Sequence, residues 1–157
     1  MTPRVVVIGV GNEFRRDDAA GLAVARRLRQ LAPEGLKVVE AEGEGTALIE
    51  AWRGANAVIV VDAVRSGGTP GTLHRLDAHA GQVSADLFHA STHAVNPADA
   101  VELARALSEL PPWLVVFGIE VDSVEAGRGL SEPVERAVGR AAEAVLREVE
   151  ALQRARA

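Results

Sequence analysis

Continuous β-branched runs that alternate with amphipathic stretches predict an α/β fold with a largely parallel sheet. Three observations carry this reading. Arg4–Gly9 (RVVVIG), Ala57–Asp62 (AVIVVD) and Trp113–Ile119 (WLVVFGI) are apolar without alternation, as strands covered on both faces are. The segments between them place apolar residues at helical spacing. Hydrophobic residues make up 48 % of the chain but aromatics only 3 %, so Ala, Val and Leu must fill the core. A length of 157 residues suits a single domain, 1–157.

The elements follow in order. After the first strand, Gly9-Val10-Gly11-Asn12 is a turn. Asp17 or Asp18 then opens a helix in which Leu22, Ala25, Leu28 and Leu31 recur on one face, and Pro33 and Gly35 end it. Lys37–Ala41 is a second strand. Thr46 is placed to cap a short helix that runs to Trp52 and stops at Gly54. The third strand, Ala57–Asp62, ends on a carboxylate. Arg65–Gly71 is a loop before a short strand over Thr72–Leu76, and 79–92 shows no period. Asn96-Pro97-Ala98-Asp99 combines an N-cap, a first-turn Pro and an early acid, so a helix is expected from there to about Leu110, ahead of Pro111-Pro112. Trp113–Ile119 is the last strand and Glu120–Gly129 a loop. Ser131 then caps a long final helix carrying Val134, Val138, Ala141, Val145 and Val149 on one face.

Composition excludes several function classes. A net charge of −5 disfavours a nucleic-acid backbone as partner. The chain lacks cysteine, which removes disulfides, zinc–thiolate sites and thiol nucleophiles. No apolar run reaches the roughly 18 residues a membrane span needs. With no signal-like segment before the first strand, a cytoplasmic location is expected.

Ligands of parallel α/β sheets bind beyond the carboxyl ends of the strands. The groups expected there are Gly9, Gly11, Asn12, Asp17, Asp18, Asp62, Glu120 and the Ser91-Thr92-His93 segment. A dinucleotide fingerprint fails, because its third glycine would fall on Phe14. A phosphate-receiving domain fails too. It needs a Lys after the last strand, and Lys37, in the second strand, is the one lysine. A triad of Ser91, His93 and Asp62 lacks the G-x-S-x-G elbow. Asp18, Asp62 and His93 fit better as two oxygens and one nitrogen around a metal ion, with positions left open for substrate or water. Asp17 reads as a helix cap or as a group behind that trio, the cap being favoured. His74, His79 and His89 are spare imidazoles.

The run Gly9-Val10-Gly11-Asn12-Glu13-Phe14-Arg15-Arg16-Asp17-Asp18-Ala19-Ala20-Gly21 resembles the opening motif of the nickel–iron hydrogenase maturation endopeptidases. Val60-Val61-Asp62-Ala63, Ser91-Thr92-His93, Gly118-Ile119-Glu120 and Gly129-Leu130-Ser131 resemble later motifs of the same family, in order and spacing. Together they cover about residues 4–150. The resemblance implies a three-layer α/β/α fold, phosphorylase/hydrolase-like, around a twisted, mostly parallel five-stranded sheet. It implies removal of a C-terminal extension from a hydrogenase large-subunit precursor after nickel insertion, with the substrate-borne nickel as recognition element. Carried over residue by residue, Asp18, Asp62 and His93 would be both the catalytic residues and those that face the metal. Ala19 stands where the family usually has Gly, Val121 where it often has Pro, and Val95 where Leu is common. The chain is expected to act as a monomer. Two other readings stay open: a maturation factor that binds precursor or metal without cutting, and a small-substrate hydrolase of the same fold.

Overall fold

The computed structural model describes residues 4–31, 34–42, 45–88 and 96–155. Its strands are β1 (Val5–Val10), β2 (Leu36–Ala41), β3 (Ala57–Val64), β4 (Leu73–Asp77) and β5 (Trp113–Glu120). Its helices are α1 (Ala20–Leu31), α2 (Gly45–Trp52), α3 (Pro97–Ala106) and α4 (Glu132–Ala155). Short 3-10 turns cover Arg16–Ala19 and Ala85–Phe88. The strands form one sheet in the order β2-β1-β3-β5-β4. All neighbours are parallel except β4, which runs antiparallel to β5.

Strand alternation divides the core between the two faces of the sheet. Odd positions of β1, β3 and β5, such as Val7, Ile59 and Phe117, pack with Val24 and Leu28 of α1 and Val134, Ala141 and Val145 of α4. Even positions, such as Ile8, Val60 and Val116, pack with Leu48 and Trp52 of α2 and Val101 of α3. Two helices therefore cover each face, which gives the expected three layers. Because both faces are covered, every residue of β1 and β3 is buried and neither strand alternates in polarity.

Several boundaries differ from the sequence reading. The segment at Asp17-Asp18 opens as a 3-10 turn, and the α-helix starts only at Ala20. Helix α2 begins at Gly45, so Thr46 lies within its first turn rather than ahead of it. The third strand continues past Asp62 to Val64, so the carboxylate lies inside the strand rather than at its tip. The fifth strand takes in Glu120. Helix α3 stops at Ala106, four residues short of Leu110, because Ser108 adopts a left-handed conformation (φ 56°). Its start is as read: Asn96 accepts from the Asp99 N–H at 2.9 Å, and Asp99 accepts in return from the Asn96 N–H.

Glu148 of α4 is a charged residue on a core-facing stripe, and the sheet accounts for it. Arg75 of β4 donates to both its carboxylate oxygens (2.8 and 3.0 Å), and the Trp113 indole N–H of β5 donates to one of them at 2.9 Å. That forked contact docks the long helix across the antiparallel edge of the sheet.

Candidate active site

Two glycines bring the first carboxylate to the sheet. A Cβ on Gly11 would lie 2.1 Å from the carbonyl oxygen of Asp18. A Cβ on Gly21 would lie 2.2 Å from the Val61 carbonyl oxygen and 2.3 Å from that of Val10. Real Cβ atoms do not come so close, so only glycine lets α1 start directly against the ends of β1 and β3. The Gly9–Asn12 turn thus packs against the segment that opens α1. The Asn12 side-chain oxygen accepts from the Phe14 N–H at 2.9 Å, and the Asn12 N–H donates to the Asp18 carbonyl at 3.3 Å. Both bonds close the loop in which Asp18 sits.

Asp18 and Asp62 are each 0 % exposed. Among the described residues, neither carboxylate oxygen of Asp18 has a hydrogen-bond partner, nor does Oδ2 of Asp62. Oδ1 of Asp62 accepts from the Ala63 N–H at 2.8 Å. Burial pushes the Asp18 carboxyl up to about 6, a rise restrained by the nearby Arg15 guanidinium and the Asn12 amide. Burial first, and then the charge of Asp18 beside it, push Asp62 well above the ordinary carboxylate range. The two carboxyls thus feel each other's charge, are closed off from bulk solvent and are short of donors among the described residues. Buried polar groups in that state call for a proton or a cation.

His93, with Ser91 and Thr92, lies outside the described residues. Among the described residues, no group of three or more His, Asp or Glu side chains is arranged to hold a metal ion. An open cleft lined by Glu13, Ala19, Arg26, Arg128 and Leu130 borders the same loop, but neither Asp18 nor Asp62 lines it.

Asp17 is not a helix cap. Its side chain reaches across to the β5–α4 connection and accepts from the N–H groups of Asp122 (2.9 Å), Ser123 (3.0 Å) and Ser131 (2.7 Å), and from the Ser131 hydroxyl (2.8 Å). The neighbouring aspartates therefore have opposite tasks. Asp17 is saturated with donors and fastens the loop, whereas Asp18 has no hydrogen-bond donor among the described residues. Ser131 directly precedes α4, as read, but its hydroxyl is directed to Asp17.

Glu120 is a residue whose role the sequence left open. It is 1 % exposed and lies at the end of β5. It accepts from the Ser66 N–H at 2.8 Å, from the Ser66 hydroxyl, and from His74 Nε2 at 3.0 Å. Burial pushes its carboxyl up, but the bonds from Ser66 and His74 together outweigh burial and hold it below the usual range. His74 is thus more than a spare surface imidazole. Its position, two residues after a loop, carried no signal in the sequence.

Comparison with known proteins agrees with this architecture. Residues 22–148 match the family model of HycI, described as hydrogenase maturation protease. The chain is 30 % identical over 148 residues to hydrogenase 2 maturation protease of Escherichia coli K12, covering 91 % of this chain and 88 % of that one. It is 27 % identical over 135 residues to the hydrogenase expression/formation protein HoxM of Azotobacter vinelandii, where it spans 84 % of its own length but 65 % of the relative's. Among solved structures, the hydrogenase maturating endopeptidase HybD from E. coli superposes with a TM-score of 0.75 at 28 % identity, over 94 % of this chain and 92 % of that one. A glycine-cradled aspartate beside a second buried aspartate, on a sheet that superposes this well on a maturating endopeptidase, leads to one conclusion: the chain belongs to the hydrogenase maturation protease family and is an endopeptidase of that class.

Proposed function

We propose that this endopeptidase removes the C-terminal extension of a nickel–iron hydrogenase large-subunit precursor and recognises the nickel that the precursor carries through Asp18, Asp62 and His93. The observation that carries the site is the pair of interacting, fully buried aspartates with three of their oxygens unpartnered among the described residues. Two buried carboxyls with a single backbone donor between them among the described residues have an unmet demand for positive charge when they ionise. A divalent ion supplies it and lets both ionise. Carboxylate and imidazole are suitable ligands for a borderline ion such as nickel. With two described ligands and no thiolate, the protein holds such an ion weakly by itself, and the missing ligands come from His93 and from the substrate that delivers the metal. Cleavage then depends on nickel loading, because an unloaded precursor brings nothing to satisfy the pair.

The test is incubation of the purified protein with nickel-loaded precursor, following loss of the tail by mass. Wild type should release the tail from loaded precursor only. Asp18→Ala and His93→Ala should abolish release while the fold persists, and Asp18→Glu should keep substantial activity because it preserves charge and ligand type. Wild-type rates in Asp18→Ala would discard the site. Binding of the precursor without any cutting would contradict the proposed reaction.

A further inference from the structure

The loop ahead of Asp18 is stitched to the β5–α4 connection. The Arg16 N–H donates to the Gly127 carbonyl at 3.0 Å, and the Gly127 N–H donates to the Phe14 carbonyl at 2.9 Å. Within this frame Arg16 holds a left-handed backbone (φ 45°). Glycine would adopt it freely, whereas a residue with a Cβ is strained there, and such strain gathers at functional sites. The Arg16 side chain is exposed, and its guanidinium has no hydrogen bond or ion pair among the described residues. It runs alongside Gly127, where an added Cβ would meet its Nε at 3.5 Å. Arg128, the next residue, sets its guanidinium 4.9 Å from the centre of the Phe14 ring, which is itself 57 % exposed. The Arg15 guanidinium is likewise without a hydrogen bond or ion pair among the described residues, and its charge reaches Asp18. Three arginines and an aromatic ring thus gather beside the aspartate site, in a chain whose net charge is −5. Among the described residues Glu13 is the acid paired with this strip, and it is shared between Arg128 (3.6 Å) and Arg26 (3.5 Å). Asp122 and Glu125, in the same β5–α4 connection, form no ion pair with these arginines.

We infer that Arg15, Arg16 and Arg128 bind acidic side chains of the precursor beside the bond that is cut; this rests on the hydrolytic reading above. Cations gathered without counter-charges favour an anionic partner, and the planar guanidinium matches a carboxylate in two parallel hydrogen bonds. Arg15 and Arg16 stand within three residues of Asp18, so a peptide that engages the aspartates lies within reach of their side chains. The exposed Phe14 ring offers that peptide an apolar surface between the charges. The negative charge of the whole chain disfavours a nucleic-acid strand in the same place. The strip supplies affinity and alignment, and the bond-breaking step belongs to the aspartate site.

The first variant is Arg16→Gly, which removes the side chain and accepts the left-handed backbone. It should melt no lower than wild type, yet bind nickel-loaded precursor about threefold or more weakly, with the loss appearing in KM rather than kcat. The triple variant Arg15→Gln, Arg16→Gly, Arg128→Gln should lose about tenfold or more in affinity at low salt, and its difference from wild type should close as salt is added. A precursor whose Asp and Glu residues beside the cut are changed to Asn and Gln should bind wild type as weakly as the triple variant binds the unaltered precursor, and the triple variant should not distinguish the two precursors. Equal affinity of wild type and triple variant for the unaltered precursor overturns the inference, and so does a wild type indifferent to the change to amides. Should the triple variant fail to fold, the altered precursor on wild type alone decides. Wild type that binds loaded precursor without ever cutting it would defeat the hydrolytic reading and leave the affinities to judge the strip, whereas wild type that cuts beside a triple variant of unchanged affinity defeats only the strip.

Discussion

An aspartate whose pKa is raised by folding favours the folded chain at low pH and opposes it at high pH. For Asp18 the window runs from the ordinary 3.8 to about 6. Below it both states hold the proton. Through it the unfolded chain ionises first and stability is lost, and above it the loss is complete at about 3 kcal/mol for this group. Asp62, shifted in the same direction, extends the decline to higher pH. Asp62→Asn removes one charge and gives Asp18 an amide donor, so it should stabilise the metal-free protein by about 1–3 kcal/mol at pH 8 while abolishing cleavage. Urea unfolding at pH 8 and pH 4.5 checks this: the advantage of the variant should shrink toward zero at the lower pH. These two residues were legible because a carboxylate in or beside an apolar strand needs a reason to be there. Asp17 was misread as a cap because its partners lie 105–114 residues away, and no local pattern encodes them. Glu120 and His74 were likewise joined only by the pairing of β4 with β5.

At the scale of elements, the apolar runs were correctly read as strands, since continuous Val and Ile leave few alternatives. Their ends were less visible. Apolarity continues through Ala63 and Val64, and only pairing with Ile119 and Glu120 carries β3 that far. The end of α3 depended on backbone at Ser108 rather than on the prolines that follow. The reversed direction of β4 could have been anticipated. A parallel return needs a crossover of a dozen residues or more, and the connection over 65–72 is too short for one. The contact between α1 and the strands gives a test in which propensity and packing oppose each other. Alanine is the better helix former by about 1 kcal/mol. At Gly139, in α4, an added Cβ meets nothing within 4 Å, so Gly139→Ala should stabilise by up to that amount. At Gly21 it meets two carbonyl oxygens of the sheet, so Gly21→Ala should destabilise by about 3 kcal/mol and displace Asp18. Thermal melts of the two variants should move in opposite directions.

Over the whole molecule, the sheet is closed on both faces by helices from distant parts of the chain, and two buried carboxylates are among the polar contacts that tie these layers together. One is Glu148 with Arg75 and Trp113. The other is Asp17, whose four donors all come from the β5–α4 connection. Asp17→Ala would strand three backbone N–H groups and a hydroxyl, and should cost about 3 kcal/mol or more, read from the denaturation midpoint. Cleavage should suffer as well, since the turn that holds Asp18 loses its fastening. The same tether has a bearing on synthesis. The turn at Asp17 leaves the ribosome early, yet the Ser131 donors that complete it follow 114 residues later. At about 5–20 residues per second, about 6–23 s pass before they are made. A nascent chain that has already paired β1 with β3 therefore still lacks a fixed Asp18, and the protease becomes competent only as its last helix is being completed.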